Sequence, residues 1–216
     1  LFNLSSAYLK MATGSSAILA GLANRRSYYA LCSLSPISEA KIRAIMGDIM
    51  LKTPSAFNSQ SSRIVVLLKK EHENFWEIVK EVLLNLIGPE LFVKTGPKLD
   101  SFKGGYGTIL FYEDQHVITD MKSKFPIFAD NFDAWSEHTS GMHQLMAWIA
   151  LEAEGFGANL QHYNPVIDKK VGDVFGILPT WKLRAQLVFG LPTECTPPVK
   201  EKKALDELMR ILGSEE

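Results

Sequence analysis

The sequence predicts an α+β fold, on three observations. Helical and strand patterns interleave without the regular βαβ alternation of a doubly wound sheet. Three one-faced or strongly apolar helical stretches are separated by short β-rich runs. At 216 residues, 46% hydrophobic, the chain is long enough to bury roughly 70% of its unfolded surface in one core.

The elements follow in order. Residues 1–38 contain no acid, only Lys10, Arg25 and Arg26 among Ser, Ala and Leu. They predict a first amphipathic helix ending near the arginines, with a mitochondrial leader left open. Residues 1–20 are read as an extension or first helix, with 1–10 as upstream or added sequence, and 21–216 as a single domain. After Ser35-Pro36, the residues Ile42, Ile45, Met46 and Ile49 fall on one helical face that ends before Pro54. A strand is expected over 64–68. A second helix over 72–87 carries Phe75, Ile78, Val79, Val82, Leu83 and Leu86, and Gly88-Pro89 should break it into a loop reaching Gly107. A strand over 108–112 follows. The apolar residues of 137–154 wrap most of the circumference, which predicts a central, buried helix. A short segment over 160–163, a strand over 183–189, a polar linker and a C-terminal helix over 201–212 complete the chain.

Composition narrows the function. A net charge of −1 and the lack of a basic stripe argue against nucleic acid. Cys32 and Cys195 form no CxxC and no disulfide framework, which favours a reducing compartment. No apolar run approaches the ~18 residues of a membrane span. A cytoplasmic location is expected, with a nuclear one also allowed.

The motifs of side-chain catalysis are missing. There is no GxSxG elbow, and no HExxH or cysteine cluster, so no metal is expected. His138 and His143 stand five apart, off a shared helical face. Gly155-Phe156-Gly157 follows a helix and lacks the strand that a dinucleotide loop requires.

What remains is a set of ligand-binding features. Pro54-Ser55-Ala56-Phe57-Asn58-Ser59-Gln60 is a polar turn that runs into an apolar strand. Asn58 and Gln60 offer donors and acceptors suited to a heteroaromatic ring edge. Arg25-Arg26-Ser27 groups two guanidinium forks with a hydroxyl, and Lys200, Lys202 and Lys203 form a second cationic cluster. A ligand with a phosphate at one end and a polar aromatic ring at the other would suit both, and flavin mononucleotide has that shape.

With these residues in view, the chain resembles the nitroreductase family of FMN-dependent oxidoreductases, in its short fungal and bacterial branch. The resemblance rests on RRSYYAL (25–31), PSAFNSQSSR (54–63), GYGTILFYED (105–114), ALEAEGFGANLQHYNP (150–165), WKLRAQLVFG (181–190) and the Lys200 cluster. It implies an α+β homodimer, a mixed sheet flanked by helices, with FMN at the subunit interface. Arg25, Arg26 and Ser27 would hold the phosphate and neighbouring atoms, with Lys200 and either Lys202 or Lys203. Pro54, Ser55, Ala56 and Asn58 would reach the ring from the partner subunit, with Gln60 nearby. Leu160, Gln161, His162 and Tyr163 would pass backbone amides beside the flavin N5 edge.

Three departures from the family pattern stand out. Tyr29 replaces a basic residue common near flavin N1 and O2, unless Lys98 substitutes for it. Ser61-Ser62 stand where a Pro-Trp pair is common. A longer helical insertion that shapes the substrate pocket is lacking. The expected function is hydride transfer from NADH or NADPH to a nitroaromatic or quinone acceptor by ping-pong exchange, with no catalytic side chain because the flavin does the chemistry. The alternative is an FMN-binding regulatory protein of redox or lipid stress with little turnover. An aromatic lid over Phe125, Phe128, Phe132 and Trp135 is a further expectation.

Overall fold

The computed structural model describes residues 15–213; the expectation for residues 1–10 lies outside them. In chain order the elements are α1 (Ser16–Asn24), β1 (Leu31–Cys32), α2 (Glu39–Lys52), β2 (Ser62–Leu68), α3 (Lys69–Lys103), β3 (Gly107–Asp114), α4 (Gln115–Lys124), α5 (Phe132–Ala153), β4 (Gly157–Gln161), α6 (Asp168–Phe175), β5 (Trp181–Pro192) and α7 (Leu205–Leu208). Two 3-10 segments, Ala56–Asn58 and Pro126–Asn131, join them. No helix among the described residues is long and apolar enough to cross a membrane.

The ladders are antiparallel. β3 pairs β2 on one side and β5 on the other, while β1 and β4 each pair with β5. Alternation along β3 splits its side chains between two cores. Leu110 and Tyr112 face α3 and α6; Ile109 and Phe111 face α2 and α5. All eight positions of β3 are buried, as a strand covered on both faces must be.

A polar thread crosses the α3 side. His72 is fully buried, and its Nε2 donates to the Lys103 carbonyl at 3.1 Å. Its Nδ1 therefore accepts from the Thr108 hydroxyl at 2.8 Å, and Trp76 Nε1 donates to that same oxygen at 3.0 Å. Burial pushes the imidazole down to about 4.

The structure corrects several expectations. Residues 88–103 are no loop. Gly88 takes a left-handed φ of 76°, Pro89 restarts the helix, and α3 runs on to Lys103. Burial drives that continuation, because Phe92, Gly96, Leu99 and Phe102 form a second helical stripe against the core. The C-terminal helix spans only Leu205–Leu208. Leu205, Leu208, Met209, Ile211 and Leu212 are all exposed, so nothing among the described residues supports a longer one. Helix α5 begins earlier than expected, and its burial is one-sided: Met142, Leu145 and Met146 stay exposed. α4 and α6 are additions to the predicted set; α6 carries Val171, Val174 and Phe175 on one face but is only eight residues long.

Candidate functional site

Strand-like pairing ties the stretch after the first cationic cluster to β4 and to the segment that leads toward the second. Past the end of α1, Tyr28 N donates to the Ala158 carbonyl at 3.0 Å, and Ser27 bridges Ala158 in parallel. Asn159 Nδ2 fixes the same stretch by donating to the Tyr28 carbonyl at 2.7 Å. Gly157 permits this approach, since a Cβ there would stand 2.8 Å from the Tyr28 side chain. The segment after β5 then runs back along residues 28–30. Thr193 N donates to the Ala30 carbonyl at 3.1 Å, and the Tyr28 hydroxyl reaches Thr196 at 3.3 Å. Lys200 and Lys202 follow, exposed, while Lys203 pairs with Glu207 at 3.6 Å.

Arg25 and Arg26 behave differently. The Arg25 guanidinium lies 4.4 Å from the centre of the Trp148 ring, a stacking that holds the fork while leaving its edges free. Arg26 turns back on the chain: its Nη1 donates to the carbonyls of Ala23 and Arg25, and its backbone N–H donates to Glu152. Glu152 also accepts from Trp148 Nε1 at 2.7 Å, and burial raises its carboxyl above the usual range. Arg26 therefore closes α1 and anchors it to α5.

Tyr29 is half exposed, its ring 6.4 Å from Phe102. Lys98 Nζ stands 5.5 Å from the same ring, on α3 and not on a loop. The residue lacking a charge and the lysine suggested as its substitute thus converge on one phenyl group.

The 160–163 segment divides by backbone direction. Residues of a strand alternate the side to which their N–H and C=O point. Ala158 uses its outer side for Tyr28, so Leu160 also points outward from the sheet edge. Gln161 is buried and donates to Asn159 Oδ1 at 2.8 Å. His162 is exposed. Tyr163 is committed inward: its N–H donates to Gln186 at 2.8 Å and its ring packs edge-on against Trp76.

The polar turn sits elsewhere. Phe57, Asn58 and Gln60 have left-handed φ values of 54°, 52° and 52°. Ser55 closes the turn, its carbonyl accepting from Asn58 N and its hydroxyl from Gln60 N. Beneath it, the Ser61 and Ser62 hydroxyls both donate to Glu113, at 2.5 and 2.6 Å. Glu113 is fully buried, and that burial pushes its carboxyl up against the opposing pull of the two serines. A cavity of about 160 Å³ behind the turn is lined by Ser55, Gln60 and His143 among others. Burial holds the His143 imidazole below its usual range, and its Nδ1 donates to the Thr139 carbonyl at 2.9 Å. A larger apolar hollow of about 640 Å³, between α2 and β2, contains none of the candidate ligand-binding residues read from the sequence.

Helix α5 relates the two regions. Trp135 packs on Phe57 near its start, and Trp148 stacks on Arg25 near its end. At 1.5 Å per residue, that interval is about 20 Å of helix. The turn and the cationic clusters of one chain therefore lie apart. Phe57, Trp148, Glu152, Asn159 and Glu113 are contributors that residue-by-residue reading missed. Only Phe57, sitting inside the polar turn, carried a sequence signal.

The comparisons with known proteins agree with this architecture. A model of the nitroreductase family matches residues 22–191. The chain is 36% identical to HBN1 of Saccharomyces cerevisiae over 82% of its own length and 88% of that protein. It is 32% identical to the nitroreductase FRM2 of the same yeast over 81% of its length and 88% of that protein. Among solved structures, the nitroreductase CinD from Lactococcus lactis in complex with chloramphenicol superposes with a TM-score of 0.81 at 37% identity, covering 90% of this chain and all of that one. CinD was also solved with 4-nitrophenol, at the same identity. On the family match and both yeast relatives, the protein belongs to the nitroreductase family, a family of oxidoreductases.

Proposed function

We propose that the protein is an FMN-dependent oxidoreductase that takes reducing equivalents from NADH or NADPH and passes them to a nitroaromatic or quinone acceptor. The chemistry that FMN supplies when bound is hydride acceptance and delivery at one ring face. The chain supplies the seat. Arg25, pre-set on Trp148, offers a bidentate fork to a phosphate, with Ser27 two residues on, and Lys200 and Lys202, on the segment that pairs with residues 28–30, would add charge. The Leu160 backbone, aimed out from the sheet edge, suits the polar edge of the ring. Tyr29 and Lys98, meeting at Phe102, would serve the opposite edge, Lys98 with a positive charge. The residues present fit the group.

The observation that carries the reading is the split across α5. A turn rich in ring-edge donors and a phosphate-suited cationic cluster, about 20 Å apart on one chain, become one site if the turn comes from a second copy. The exposed apolar residues Met142, Leu145 and Met146 of α5, with Ile18, Leu19 and Leu22 of the adjoining α1, provide the surface for such a homodimer. The nitroaromatic acceptor class draws on the two ligands seen in CinD.

The test is a colour change. Mixed anaerobically with NADH or NADPH, the yellow protein should bleach, and a nitroaromatic or quinone should restore it. Varying both substrates should give parallel double-reciprocal lines, the sign of ping-pong exchange. Flavin that stays oxidised under both nicotinamides, while dithionite reduces it, would refute turnover. Colourless protein that ignores added FMN would refute the cofactor.

A further inference from the structure

We propose that Phe57 is the positioning residue of the polar turn: its ring, held among Phe125, Phe128, Phe132 and Trp135, keeps the turn in the left-handed backbone that presents Asn58 and Gln60. The inference rests on the reading above that this turn lines a flavin.

Three observations converge. First, the backbone is costly. Left-handed φ values are tolerated by Asn but are genuine outliers for a bulky residue such as Phe, and this turn holds three non-glycine residues there within four positions. Such a geometry persists only where surrounding structure over-determines it. Second, the compensating contact is specific. The Phe57 ring centre lies 4.7 Å from that of Phe125, 5.6 Å from Phe128, 5.7 Å from Phe132 and 5.6 Å from Trp135, stacked on the last at 22°. All four belong to one neighbourhood, from the end of α4 through the 3-10 segment to the start of α5, so one side chain ties the turn to a rigid helix. Third, Phe57 is 48% exposed despite that company. A residue selected only to fill a core would be buried; this one is placed at the rim, between Ala56 and Asn58. Without the ring, residue 57 relaxes toward the extended or right-handed region, and every group after it is re-aimed.

The expected lid of Phe125, Phe128, Phe132 and Trp135 thus acquires a definite role as the wall that receives Phe57.

The experiment pairs two readouts on full-length protein. In cofactor-free protein, Phe57→Ala should speed hydrogen exchange at the Asn58, Ser59 and Gln60 amides, whose acceptors are Ser55 and Ala56. In FMN titrations, the same variant should raise the dissociation constant about tenfold. Phe57→Tyr, which keeps the ring and places its hydroxyl toward solvent, should restore both. Leu83→Ala, on the opposite face of the sheet, controls for lost stability and should leave both readouts near wild type. Unchanged exchange at the three amides in Phe57→Ala, or equal weakening of FMN by Leu83→Ala, would overturn the proposal. Wild-type protein that fails to bind FMN would refute the flavin reading, while the exchange data would still decide whether Phe57 holds the turn.

Discussion

His72 should make this protein acid-sensitive in a way that one substitution removes. The imidazole is fully buried between Thr108 and Lys103, with no carboxylate bonded to it, and its folded pKa lies at about 4 against an ordinary 6.5. A depressed folded value means that the native state favours the neutral ring. The contribution is therefore complete above pH 6.5 and is lost as pH falls toward 4. At about 1.4 kcal/mol per tenfold change in proton affinity, the loss amounts to about 3 kcal/mol. Asp168 works in the opposite sense: burial pushes its carboxyl up to about 6, so it favours the native state as pH falls. Its contribution is common to wild type and variant and cancels in their difference. His72→Gln can still donate to Lys103 and accept from Thr108 but cannot charge. Urea unfolding at steps from pH 7.5 to 4, at one fixed protein concentration and one fixed FMN concentration because whatever binds the native state stabilises it, should show the wild type losing about 3 kcal/mol more than the variant. Parallel curves would refute the argument, meaning that the ring is hydrated or already charged in the fold.

The other predictions concern the site and its support. Arg25→Ala should weaken FMN ten- to a hundredfold, because a charge-assisted contact contributes about 1.5–3 kcal/mol; Lys200→Ala should do so less, and fluorescence titration would show both. Met146→Glu, on the exposed face of α5, should drive a dimer toward monomer in sedimentation, with loss of FMN in step, since obligate interfaces tolerate a buried unpaired charge poorly. Glu113→Leu should cost at least about 2 kcal/mol in urea unfolding, because it strands the buried Ser61 and Ser62 hydroxyls without an acceptor.

Local periodicity carried the sequence reading where an element is amphipathic on its own. Ile42, Met46 and Ile49 are the buried face of α2, and Phe75, Ile78, Val79 and Leu83 that of α3. It failed where punctuation competed with burial. Gly88-Pro89 and Gly96-Pro97 read as loop, yet Leu99 and Phe102 are fully buried and pull the chain into helix. The expected helix over 201–212 failed for the converse reason, an apolar pattern with nothing among the described residues to pack on. The candidate site residues at 25–29 and 54–60 stand out in the sequence because turn chemistry and charge are local. Trp148 and Glu152 were not, because only the fold reveals that the end of α5 faces the end of α1. Glu113 is one of two adjacent acids at the end of an apolar strand, and its two serine partners lie on the neighbouring strand and its approach.

The length of α5 has a genetic consequence. In a shared-site dimer each chain lends its arginine end to one flavin and its turn end to the other. A chain damaged only at Arg25 and a chain damaged only at Asn58 would each form homodimers with two defective sites. Co-expressed, they would form mixed dimers in which both lesions fall in one site and the other is assembled entirely from intact parts. Two inactive alleles would then complement, restoring one working site per mixed dimer, whereas two lesions at the same end of the helix would not.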